Sequence, residues 1–265
     1  MKSMLKRAGR VFGAAAVGVA ALAAAGCSTS EDRSWTMAPP ATEAFSDGPA
    51  VDIENHRGTV EVRVEPWRKE IEVSMKTTIE GDGSSNRARL IREGMVYQAE
   101  TIEQDGPAVL MVRAASPMPE DTQHWTTIMV SMPACGGVRV QNAGGKVMVI
   151  NAGGATQIEV TDGAIEVRTD KVIDAPTLLT TTKGDIRWVT KPGTTGMLEA
   201  ESADGTVAIN NKAVGQWDWT ATWMGPSKMV GTINSGTNPV SLRTQEGDIT
   251  VLMVKDPNDH TPLMR

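Results

Sequence analysis

"TTKGDIRWV" runs from Thr181 to Val189, and "TQEGDITVL" runs from Thr244 to Leu252. Both place Gly-Asp-Ile three residues after a threonine and follow it with alternating polar and apolar positions. Alternation at a period of two is the pattern of an extended strand with one buried face. A glycine standing where one such strand hands over to the next marks a corner of the chain.

Aligning the chain on its glycines turns this pair into a repeat: apolar-x-apolar-x-(Asn/Thr/Ser)-x-x-Gly-x-apolar-x-apolar. One copy is Val51, Ile53, Asn55, Gly58, Val60, Val62, and the next is Val138, Val140, Asn142, Gly145, Val147, Val149. Two more are Leu198, Ala200, Ser202, Gly205, Val207, Ile209 and Val240, Leu242, Thr244, Gly247, Ile249, Val251. Weaker copies centre on Gly163 and Gly184, where Thr156 and Ile158, or Thr177 and Leu179, stand in the first strand. Gly163, Gly184 and Gly205 are spaced by 21 residues, and Gly247 falls two such steps beyond Gly205. A fixed period of about 20 residues belongs to a repeat architecture and not to a single active site.

The corner chemistry is conformational. Asn, Ser or Thr can hydrogen-bond backbone that has left the ladder, and glycine three places later can take a positive φ. Such a corner fits one bend of a solenoid coil, and it also fits a hairpin. The thin core favours the coil: Val, Ile, Leu and Met fill it, with Tyr97 the single tyrosine and Phe45 outside the body. The stretches between units, such as "KVIDAP" from Lys171 to Pro176, leave room for a further short strand. The expectation is an all-β body, a β-solenoid-like stack of short strands with Gly corners, with a hairpin-based β-sandwich as the alternative. The one helical candidate is "SSNRARLIREG", ending at Gly94.

The segments "VDIENHRGTVEVRVEP" and "VSMPACGGVRVQNAGGKVMV", with the later Gly-Asp-Ile corners, resemble the putative-adhesin β-strand repeat family of bacterial envelope proteins. The resemblance spans roughly Val51 to Val254. It implies a β-solenoid-like stack, no catalytic residues and no cofactor, and it leaves the function unknown.

The chain starts with Lys2, Lys6, Arg7 and Arg10 and continues with "VFGAAAVGVAALAAA". That apolar run is shorter than the roughly 20 residues a membrane-spanning helix needs. A basic start, a short apolar run and small residues at its end read as an export signal over residues 1–26. The ending "AAGC" resembles the lipobox of bacterial lipoproteins, which implies acylation (a palmitate-type anchor) at Cys27. Ser28 implies sorting to the outer membrane in a Gram-negative cell. Residues 27–49, rich in Ser, Thr, Pro and acidic side chains, read as a flexible tether, and residues 50–265 as the β-strand repeat domain. About 20 tether residues would reach about 25 Å.

Removing the leader leaves 22 Lys and Arg against 32 Asp and Glu, a mature charge of −10. A surface of that sign repels phosphate backbones, which argues against nucleic acid as a partner. The lipid then supplies the membrane attachment, and envelope proteins or glycans are the expected partners; the oligomeric state is open. Cys135 reads as a small buried residue, since no basic neighbourhood activates it.

Between Asn210 and Val240 the repeat breaks, and Pro226 stands where the next Gly corner is due. Trp217, Trp219 and Trp223 of "QWDWTATWMGP" would share one strand face if extended. They form either an aromatic platform for a glycan or a cap on the open end of the stack. His56, His124 and His260 are far apart in sequence, so no metal ligand set is read. "NAGG" at Asn142 and Asn151 has the nine-residue spacing of calcium-binding rolls without their aspartates. Some β-helical proteins cleave polysaccharides with carboxylates on neighbouring coils, and Asp185 or Asp204 could in principle form such a pair, but nothing in the sequence selects them among the acidic residues. The reading is a lipid-anchored, non-enzymatic envelope protein that binds, adheres or scaffolds; the alternative is a glycan-binding or glycan-cleaving protein on the same fold.

Overall fold

The computed structural model describes residues 28–38, 48–102, 108–213 and 218–259. The leader over 1–26, Cys27, Trp217 and His260 lie outside the described residues. Within them, β1 (Thr29–Met37) precedes β2 (Ala50–Asn55) and β3 (Val60–Val64), and the Gly58 corner joins β2 to β3. β4 (Ile71–Ile79), the helix α1 (Asn86–Gly94) and β5 (Val96–Ile102) come before β6 (Val109–Ala115) and β7 (His124–Met132). Strand pairs then follow in series: β8 (Gly137–Gly144) and β9 (Val147–Ile150), then β10 (Ala155–Asp162) and β11 (Ile165–Arg168). β12 (Thr177–Lys183) and β13 (Ile186–Thr190) come next, then β14 (Gly196–Asp204) and β15 (Val207–Asn211). A hairpin of β16 (Trp219–Met224) and β17 (Lys228–Ile233) separates these from β18 (Pro239–Glu246) and β19 (Ile249–Met253).

Each glycine corner carries the chain out of one sheet and into the other. β8 runs parallel between β2 and β10, while β9 runs parallel between β3 and β11. Two strands joined by a corner therefore never pair with each other, which selects the solenoid over the hairpin sandwich. The result is a ten-stranded sheet facing a nine-stranded sheet, with one coil contributing a strand to each. Coils have two strands and not three: the connection from 169 to 176 contains no strand, and Ile173 is buried in it ahead of Pro176.

Space and sequence disagree in order. β18 and β19, the last pair of the chain, lie between the β12–β13 coil and the β14–β15 coil. At the other end β6 and β7 stack outside β2 and β3, although they come later in sequence. Antiparallel strands close both ends. β4 lies on β7 and β1 on β4, β5 lies on β6, and the β16–β17 hairpin lies on β14.

β1 changes the reading of the tether. Thr29 to Met37 pairs along its whole length with Ile79 to Ile71, and Trp35 and Met37 pack against the core. Their spacing of two was hidden because the positions facing away are charged or hydroxylated. α1 forms where expected: the Ser85 side chain accepts from the Ala88 N–H as an N-cap, and Ala88 and Ile91 are buried.

The interior consists of matched rows running along the stack. Ile128, Val60, Val147, Ile165, Ile186, Ile249 and Val207 form one row of the nine-stranded sheet, all within 4% of full burial. Each fully buried side chain of this size contributes about 1.5–3 kcal/mol. Short strands can hold such a core because each one shares it with the coils above and below.

The corners form their own ladder. The backbone N–H two residues after each corner glycine donates to the next coil: Val147 to Ala164, Ile165 to Asp185, Ile186 to Asp248, and Ile249 to Thr206. Val207 donates to the carbonyl of Pro226, which lies in the β16–β17 turn. Pro226 thus occupies the place of the missing corner. Having no N–H, it accepts the last bond and leaves no donor behind. A second set of bonds runs the other way, from the polar corner residues. Asn142 Nδ2 donates to the Gly58 carbonyl, Thr181 to Gly163, Thr244 to Gly184 and Ser202 to Gly247.

Candidate functional site

The corner row is where the stack opens a recess. Loop residues after β6 rise beside the turn Asn55-His56-Arg57-Gly58 and leave a cavity of about 430 Å³. Glu54, Asn55, His56, Arg113, Ser116, Gln141, Asn142 and Glu159 line it. Asn55 and Asn142 are each almost fully buried, and their Nδ2 atoms donate to the carbonyls of Thr126 (3.0 Å) and Gly58 (2.9 Å). Their Oδ1 atoms find no partner among the described residues. A buried acceptor without a donor is costly, and a native fold retains few of them.

Two histidines 68 positions apart meet at this recess. The rings of His56 and His124 stack with centroids 4.8 Å apart and planes inclined by 21°. His56 Nδ1 lies 3.4 Å from the Ala114 carbonyl, while its Nε2 has no partner among the described residues. Burial, then the neighbouring His124 ring and the Arg57 charge, lower the pKa of His56 to about 4, opposed by the Ala114 bond. Burial also lowers that of His124, against the pull of Asp121.

Ser116, His124 and Asp121 stand in the order of a nucleophile, base and acid. Ser116 Oγ is 2.6 Å from His124 Nε2, but His124 Nδ1 is 3.9 Å from Asp121 Oδ1, beyond hydrogen-bond reach. The Asp121 carboxylate is taken instead by the Arg87 guanidinium and the Gln123 N–H, which hold it at a pKa of about 2. Ser116 Oγ also accepts from the Met118 N–H. The trio therefore fixes the 116–124 loop against the corner; it lacks the connected chain that activates a serine.

The residues singled out in the sequence fall in several places. Gly58, Gly145, Gly163, Gly184, Gly247 and Gly205 stack in one column, each facing the carbonyl of the residue below. Asp185 and Asp204 do not face each other as a pair on neighbouring coils, because the inserted β18–β19 coil separates them. Asp185 accepts from the Asp248 N–H, and Asp248 accepts from the N–H and hydroxyl of Thr206, which holds its carboxyl below the usual range. These carboxylates strap successive corners together. Cys135 is buried, and burial pushes its thiol up to about 11. Among the described residues no group of three or more His, Cys, Asp or Glu is placed to hold a metal ion.

The tryptophan stretch departs from expectation. Trp219 pairs with Ile233 but Trp223 pairs with Val230, because a bulge at Thr222 inserts one extra residue. An odd offset flips the face. Trp219 lies inward over Gly231 and packs against the core, whereas Trp223 is 62% exposed on the opposite side. The described tryptophans thus form no common platform. Trp219→Ala is expected to lower stability by about 1–2 kcal/mol, and Trp223→Ala by less than about 0.5 kcal/mol. Thermal melting of the two variants distinguishes the two positions; equal shifts would contradict this placement.

Parallel two-strand coils, glycine corners and antiparallel caps define a two-sheet β-solenoid. Residues 130–252 match the family Toastrack DUF4097. The match starts within β7 and ends within β19, and makes this part of the chain similar to that family, one of unknown function. No curated protein matches the sequence. The structure is similar to a crystal structure of a "putative cell adhesion protein" from Clostridium sporogenes, at TM-score 0.58 and 8% identity. The likeness covers 85% of this chain and 100% of that one and concerns the fold. A "putative adhesin" from Bacteroides fragilis aligns over 85% and 97% at 8% identity with a TM-score of 0.29, too low to add to it.

Proposed function

We propose that this chain is a lipid-anchored, non-enzymatic binding module of the bacterial envelope, and that the corner recess takes a hydroxyl-rich ligand such as a glycan. The observation that carries this reading is the lining of the recess. Carboxylates of Glu54 and Glu159, the amides of Gln141 and Asn142 and the Arg113 guanidinium surround a space of about 430 Å³. Alternating donors and acceptors suit hydroxyl groups, which do both. The incomplete Ser116–His124–Asp121 chain supports a binding role over catalysis. The adhesion description of the Clostridium sporogenes protein is consistent with display at a cell surface.

The lipobox-like ending at Cys27 supports the anchor. Only Ser28 separates that cysteine from β1, so the capped end of the stack would sit close to the bilayer. The outer membrane is the leaflet system favoured by Ser28 in a Gram-negative cell. Envelope polysaccharides titrated into the full chain are the test. Gln141→Ala with Glu159→Ala is expected to weaken binding about tenfold, which is about 1.4 kcal/mol. Unaltered affinity in that double variant, with the fold intact, would remove the recess from the account.

A further inference from the structure

We infer that α1 rests on the membrane that holds Cys27, seating Leu90, Val96 and Met118 in the zone between headgroups and acyl chains. The inference rests on the reading of Cys27 as the lipid-bearing residue and adds to it the face that meets the bilayer. Two residues of extended chain span at most about 7 Å, so an acylated Cys27 lies no further than that from Thr29, the first residue of β1. Thr29 pairs with Ile79 at the end of β4 and packs its methyl group against Gly83, in the turn that leads into α1. The Arg92 guanidinium on α1 donates to the carbonyl of the same Gly83. Anchor and helix are therefore neighbours, and a helix is only about 10–12 Å across.

The flank of α1 beside the loop after β6 is apolar and exposed. Ala88 and Ile91 point inward with Ile79 and Met95, whereas Leu90 is 55% exposed. Leu90 stands one helical turn from both Arg87 and Gly94. Those two residues touch the loop: Arg87 pairs with Asp121, and Gly94 lies against the Pro117 ring. Met118, 36% exposed, follows in that loop, and Val96, 54% exposed, pairs with Ala115 at the loop's base. Helix, loop and strand thus bring three exposed apolar side chains to one end of the stack.

The short reach of the anchor decides the occupant. A body attached within about 7 Å of β1 cannot stand off from the bilayer, and exposed apolar side chains beside the attachment point gain by entering the interface. Arg89 and Arg92 are exposed on the same helix and reach lipid phosphates from it, as long basic side chains do beside an apolar seat. Glu93 and Glu120 are exposed there as well, so apolar contact and not net charge holds the seat. The seat also orients the molecule. Pro119, next to Met118, lines the corner recess together with Ser116, so the recess would open beside the headgroups.

The test uses the full chain, extracted with its anchor and reconstituted into phosphatidylethanolamine–phosphatidylglycerol vesicles with brominated acyl chains. Met118→Cys carries a fluorophore, and Cys135 is buried and stays unlabelled. A side chain seated about 5–10 Å into the interface lies among the bromines, so emission is expected to fall at least about threefold relative to unbrominated vesicles. A label at Trp223→Cys should change little. That site lies at the opposite end of the ten-stranded sheet, nine strand spacings from β5 or about 43 Å. Leu90→Glu with Val96→Glu in the Met118→Cys chain should restore the emission, with the urea midpoint of the body unchanged, since both side chains are exposed. The inference is overturned by an unquenched label at Met118→Cys, by equal quenching at Trp223→Cys, or by quenching that the double variant leaves intact. The mass of the N-terminal peptide separates this from the anchor itself. An unacylated Cys27 overturns both, whereas an acylated chain with an unquenched label overturns the inference alone.

Discussion

Gly145→Ala is expected to lower stability by about 3 kcal/mol or more, read as a lower urea midpoint at unchanged slope. Two effects add at this position. Its φ of +97° suits glycine, and a side chain there costs about 1–2 kcal/mol. An added Cβ would also stand 2.5 Å from the Gly58 carbonyl oxygen of the next coil, and that atom is backbone held in the corner ladder. Gly81 separates the two effects. Its φ is +95°, nearly the same, but nothing lies within 4 Å of a Cβ placed there. Gly81→Ala should cost only the conformational share. If both variants lost equal stability, the close stacking of corners would not be what reserves the column for glycine.

The second large effect is acid sensitivity at the histidine stack. His56 has a folded pKa of about 4 against an ordinary 6.5, so between those values the unfolded chain takes up a proton that the folded chain refuses. Stability is complete above pH 6.5 and falls as pH falls through that window, by about 3 kcal/mol from His56 alone. His124, also lowered, acts in the same direction. The groups around the pair explain why neither charge is welcome: Arg57 faces His56, and Arg87 largely cancels the Asp121 carboxylate near His124. Asp121 contributes in a separate, lower window, losing its stabilising charge as pH falls from 3.8 to about 2. Urea midpoints measured across the upper window should decline steeply in wild type and less steeply in His56→Gln, where the share of His124 remains. A parallel decline in both would assign the acid effect elsewhere.

Much of the fold is legible in the sequence because the solenoid is written in local periods. Alternating Val and Ile, a polar corner residue and a glycine three places later specify both strands and the bend between them. The caps are less legible. β1 was hidden because Glu31, Asp32 and Arg33 dominate its composition while only Trp35 and Met37 signal burial. The face of Trp223 depended on one bulged residue, Thr222, which no alternation rule can locate. The recess was not visible at all, since His56 and His124 are joined by the stacking of β2 and β6 coils and not by any local spacing. Gly184 and Gly205 show the converse: they stand one 21-residue step apart in sequence, and the inserted β18–β19 coil lies between their coils.

That inserted coil also changes how the molecule comes together and apart. A linear array can grow one unit at a time and fray from its ends. Here the β14–β15 unit has no strand pairing with the β12–β13 coil; residues 239–253 lie between them and bond both flanks. The final segment is therefore a keystone: the β14–β15 unit joins the rest of the stack through it, so loosening residues 239–253 would detach that unit as well, and contacts of long sequence separation slow assembly.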